Sequence, residues 1–63
     1  MTTQIQYQSG QLVQTGDYFN YEVIKDKGNS VIVTPAYGSP VQWGEREGEN
    51  YEYNKNSLYP VTP

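Results

Sequence analysis

Residues 18–35 read YFNYEVIKDKGNSVIVTP, two apolar-rich segments on either side of Asp26-Lys27-Gly28. Taken as a three-residue loop closed by glycine in the left-handed region, that tripeptide sets Lys25 opposite Asn29, Val23 opposite Val31, Tyr21 opposite Val33 and Phe19 opposite Pro35. One face then carries Phe19, Tyr21, Val23, Val31 and Val33, and the other carries Asn20, Glu22, Ser30 and Thr34. A slip of one residue would send every side chain to the opposite face, so this segregation argues for an antiparallel hairpin. Ile24 and Ile32 are the exceptions, apolar residues on the otherwise polar face.

The same loop rule applied to Arg46-Glu47-Gly48 sets Trp43 opposite Tyr51 and Val41 opposite Tyr53. It predicts a second hairpin with a Trp43–Tyr51 pair in the core. Toward the N-terminus, Thr3, Ile5 and Tyr7 alternate with Gln4, Gln6 and Gln8, the period of a strand with one wet face. Ser9-Gly10 reads as a turn, Gln11 to Gln14 as a further extended piece, and Thr15-Gly16-Asp17 as a turn into the long strand. At the other end, Asn54 to Ser57 reads as a polar or 3₁₀ turn, followed by a short edge strand from Leu58 to Val61, where Pro60 is tolerated. No segment carries a helical apolar period, so no α-helix is expected.

Composition narrows the class. Sixty-three residues make one domain (1–63). A chain of this size buries only about 60% of its unfolded surface. Cys and His are both absent, which removes disulfides, thiolate metal sites and the commonest general base. Seven Tyr, one Trp and one Phe supply the apolar mass instead. The net charge of −3 and four scattered basic residues argue against binding a nucleic-acid backbone. No apolar run has the length of a membrane span, and no basic, apolar leader opens the chain. The expected location is cytoplasmic, the host cytoplasm if the source is viral.

Gly16-Asp17 at the head of the long strand, the meander of hairpins, and Asn56-Ser57-Leu58-Tyr59-Pro60-Val61 at the end resemble the layout of the SH3-like β barrels. The resemblance implies an all-β fold: a small SH3-like antiparallel barrel of five to six short strands over 15–63, with 1–14 as an N-terminal strand or hairpin extension. It implies no particular chemistry, since such folds host many functions.

No catalytic, cofactor-binding or metal-ligating set emerges. The serines lack a base to activate them. Glu45, Glu47, Glu49 and Glu52 surround one loop without the spacing of a calcium site. Tyr18, Tyr37 and Tyr59, placed off the core face, are the residue type protein interfaces favour. With Ile24, Ile32, Glu45 and Glu47 they form the expected partner-binding surface. Ile5 and Tyr7 lack an obvious home in one barrel, which points to self-association as a symmetric dimer. The expected function is a non-enzymatic protein–protein interaction module that self-associates. The competing expectation is an acidic inhibitor that imitates nucleic acid in the groove of a host enzyme.

Overall fold

A computed structural model describes residues 6–16 and 19–61 and shows one five-stranded antiparallel sheet. The strands are β1 (Leu12–Thr15), β2 (Asn20–Asp26), β3 (Ser30–Pro35), β4 (Tyr51–Asn54) and β5 (Leu58–Pro60). A 3₁₀ turn, Lys55–Ser57, joins β4 to β5. The spatial order is β4-β3-β2-β1-β5. The class is therefore all-β, with no α-helix among the described residues.

The sheet is not closed into a barrel, which corrects the barrel expectation. Two short strands end it: β4 of four residues and β5 of three. The strand expected at Val41–Trp43 does not form. Its residues enter tight turns, and β4 pairs with β3 instead, Val31 with Tyr53 and Val33 with Tyr51. The N-terminal strand is also absent over Gln6–Gln8, because the Tyr7 N–H donates to the Asp26 carboxylate, 2.8 Å away, rather than to a neighbouring strand. Leu12–Thr15, with 12–14 expected in an N-terminal extension and Thr15 in a turn, is an inner strand between β2 and β5.

The β2–β3 hairpin keeps its faces but not its register. Tyr21 pairs with Pro35, Glu22 with Thr34 and Val23 with Val33. Compared with the expected pairs, the partner moves by an even number of positions, so each side chain stays on its face. The turn is centred on Gly28-Asn29, since Lys27 N donates to Ser30 O at 2.8 Å. Gly28 sits at φ +103°, a conformation that a residue with a Cβ avoids.

Between Val23 and Lys25 the ladder slips at a β-bulge, leaving Ile24 without a partner. The bulge inverts the alternation beyond it, as an extra residue in one strand must. Asp26 consequently stands opposite Val31 and aims its carboxylate inward. There it meets Lys55 Nζ at 2.8 Å, with both side chains about nine-tenths buried. The carboxylate also accepts the N–H groups of Tyr7 and Gly28, each at 2.8 Å. Lys55 Nζ lies 5.9 Å from the centre of the Tyr7 ring, close enough for a cation–π attraction.

Tyr7, Val13, Tyr21, Val23, Val31, Val33 and Leu58 form the core, with Phe19 and Tyr53 packed against it. Trp43, expected beside Tyr51 at its centre, is fully exposed. Tyr7, expected at a contact between copies, fills the core of its own chain and donates its hydroxyl to Leu58 O at 3.3 Å.

Candidate functional site: a tethered loop of glycine turns

Fifteen residues, 36–50, separate β3 from β4 without a strand or helix of their own. Irregular connections this long are uncommon in small domains and, when ordered, usually carry function. Here the segment is built from successive glycine turns. Ser39 N donates to Ala36 O at 3.1 Å, Glu45 N to Gln42 O at 2.9 Å and Glu49 N to Arg46 O at 3.3 Å.

Each of these turns places a glycine third, Gly38 at φ +79°, Gly44 at +86° and Gly48 at +82°. That is the hydrogen-bond pattern and glycine position of a type II turn. The second residue of each turn is pushed outward, and those residues are Tyr37, Trp43 and Glu47. Tyr37 is 97% exposed and Trp43 is 102% exposed, as open as in an extended peptide.

The turns are fastened to the sheet at defined points. Glu45 turns its carboxylate back to the core-side tyrosines: Tyr21 Oη donates to Oε1 at 2.6 Å and Tyr53 Oη donates to Oε2. The two tyrosine hydroxyls are 3.2 Å apart, and their rings are tilted at 51° with centroids separated by 5.3 Å. Gln42 Oε1 stands 3.3 Å from Tyr53 Oη, and Arg46 N donates to Tyr51 Oη at 2.8 Å. Trp43 and Gly44 thus lie inside a turn closed by Glu45 N to Gln42 O, and the residues that end and follow that turn, Glu45 and Arg46, are fastened to the sheet. The first turn is fastened separately, through Ala36 N to Asn20 O at 3.0 Å and Asn20 N to Ser39 Oγ at 3.4 Å.

Burial raises the pKa of Tyr21 far above the ordinary phenol value, and the hydrogen bond to Glu45 adds to the effect. Tyr53 is raised for the same two reasons in the same order. Burial and then the Asp26 charge raise Tyr7. Asp26 moves the other way, to about 2, chiefly through its hydrogen bond to Lys55 and then through the Tyr7 and Gly28 N–H groups. These protonation states fix structure. Tyr21 and Tyr53 stay neutral donors, and Asp26 stays an ionised acceptor.

The expected partner-binding residues are dispersed. Tyr37 and Glu47 occupy the outward positions of the turn array, whereas Glu45, two residues from Glu47, has its carboxylate committed to the tyrosines. Ile24 is exposed at the bulge and Ile32 is half-buried opposite Lys25 and Glu52. Tyr59 is exposed on β5 opposite Gln14, on the outer face. Ile5 and Tyr18 lie outside the described residues, as does Asp17.

Trp43 is the surface residue that the sequence reading assigned to the core. The signal that could have placed it was the repeated aromatic–glycine pair, Tyr37-Gly38 and Trp43-Gly44. No group of three or more potential metal-ligating side chains occurs among the described residues, and no helix there is long and apolar enough to cross a membrane. The site defines a class only in structural terms, a small antiparallel sheet that displays aromatic side chains from a fastened loop. The chain matches no protein-family model, no curated protein and no solved structure.

Proposed function

We propose that this chain is a non-enzymatic protein-interaction module that engages its partner through Tyr37 and Trp43. The observation that carries the reading is the full exposure of Trp43 on a turn fastened to the sheet through Glu45 and Arg46. Leaving a Trp in water wastes a large apolar surface, and fixing the backbone beneath it lowers the ordering cost of binding. Aromatic residues held this way are what the energetic centres of protein interfaces use. The meander ending in a 3₁₀ turn and a brief edge strand supports an SH3-like layout, and self-association belongs to the same proposal.

The acidic-mimic reading has less support. Glu45 is occupied by Tyr21 and Tyr53, and Glu52 by Lys27 and Ser30, which leaves no continuous row of free carboxylates on that side.

Affinity capture from the native lysate with the full chain and its Trp43→Ala variant tests the proposal. The variant is expected to lose a captured protein by about tenfold or more while keeping its unfolding temperature. Equal capture by both chains overturns it. Capture by the wild type that collapses between low and high salt would favour the mimic instead.

A further inference from the structure

The first glycine turn also closes one side of a groove on the outer face of the sheet. The groove has a volume of about 460 Å³ and is lined by Leu12, Asn20, Glu22, Tyr37, Ser39 and Pro40, among others. Its floor follows from the register: Leu12 is opposite Glu22 across β1–β2, and Glu22 is opposite Thr34 across β2–β3. Its wall is the Ala36–Ser39 turn, pinned to Asn20 at two points. The ring of Tyr37 is almost wholly in solvent, and Leu12 is more than one-third exposed.

Glu22 is exposed and forms no ion pair among the described residues, whose two pairs are Lys27–Glu52 and Lys55–Asp26. No basic residue lines the groove. An exposed carboxylate, an exposed aromatic ring and the exposed part of Leu12 therefore share one cleft in a chain of net charge −3.

We propose that this groove takes an arginine side chain of the partner protein. The guanidinium forks onto the Glu22 carboxylate while its plane lies on the Tyr37 ring, and its methylene stem rests along Leu12 and Pro40. Arginine fits better than lysine because one planar, weakly hydrated group serves both the bidentate hydrogen bonds and the stacking. Tyr37 thus has a chemical partner, and the inference rests on the protein-binding reading given above.

The test is a nitrogen-15 chemical-shift titration of the full-length chain with the blocked peptide acetyl-Gly-Arg-Gly-amide, and with its Lys and Gln counterparts. The arginine peptide is expected to move the amides of Leu12, Asn20, Glu22 and Tyr37 along a saturable curve. Glu22→Gln and Tyr37→Ala should each weaken it by about fivefold to tenfold, and the Gln peptide should not bind. Both positions are exposed, and the spectra themselves report whether each variant is folded. Shifts centred on Glu47 and Glu49, binding unchanged in Glu22→Gln, or no saturation overturn the groove assignment. Trp43→Ala separates the two proposals, since it should leave the peptide titration intact while abolishing partner capture. If the peptide fails and Trp43→Ala still abolishes capture, the groove falls and the aromatic display stands.

Discussion

Tyr21 Oη donates to Glu45 Oε1 across 2.6 Å, and that bond joins the middle strand of the sheet to the loop that displays Trp43. Tyr21 is itself almost entirely buried against the core valines. The position of Glu45 is therefore set by core packing, and the turn ahead of it inherits that order. Tyr21→Phe should destabilise the fold by about 1–2 kcal/mol, because it strips a donor from a charged acceptor. Glu45→Gln should act similarly, and the double variant should depart from additivity by more than about 0.5 kcal/mol. Urea unfolding of the four chains measures the coupling, and strict additivity would show that the bond does not tie loop to sheet.

Trp43→Ala should change stability by no more than about 0.5 kcal/mol, the range for surface substitutions that remove no packing. The wild-type emission maximum should already lie at the fully exposed wavelength in native buffer. As Trp43 is the single Trp in the chain, the spectrum reports on this position alone. A blue-shifted maximum that moves red on unfolding would place the indole in the core.

Asp26 supplies a pH dependence with a definite sign. Its carboxyl titrates at about 2 in the folded chain against an ordinary 3.8, so the folded state holds it ionised where the unfolded state takes up a proton. The resulting stabilisation, on the order of 2 kcal/mol, is present in full above about pH 4 and is lost as pH falls through about 2. Lys55→Met should cost about 3 kcal/mol at neutral pH by leaving the largely buried Asp26 charge without its partner. It should also flatten the acid limb of stability against pH. An unchanged acid limb in Lys55→Met would place the acid sensitivity elsewhere.

On the alkaline side, Tyr7, Tyr21 and Tyr53 are raised above the free phenol value by burial and neighbouring carboxylates. Unfolded chains ionise these groups above about pH 10 while the folded chain resists. Their contribution is thus complete below about pH 10 and is lost as pH rises through the folded-state values. Absorbance at the phenolate band should show part of the tyrosine complement titrating only with cooperative unfolding. Smooth titration of all seven tyrosines without loss of the sheet would contradict this.

The alternation of Tyr21, Val23, Val31 and Val33 was legible because a two-residue register change leaves the buried face intact. The 3₁₀ turn and the edge strand after it were legible from Asn54 to Pro60. The inward turn of Asp26 was not, because it depends on a bulge at Ile24, and an apolar residue on the polar face marks that position without distinguishing a bulge from an exposed contact. Trp43 was misplaced for a related reason. Gly48 does form a turn, but β4 takes β3 as its neighbour, so the hairpin rule had no strand on which to act. Glu45 likewise read as a surface acid because its two tyrosine partners are 24 and 8 residues away in sequence.

Residues 36–50 hold Tyr37 and Trp43 in water on an ordered backbone. Backbone nitrogen-15 order parameters across Tyr37–Glu49 test it most directly. The fastened turns predict values of about 0.8–0.85, like those of β2 and β3, with a fall around Trp43 and Gly44 in Glu45→Gln. Values below about 0.6 through this segment in the wild-type chain would mean a flexible loop, with Tyr37 and Trp43 not held in place.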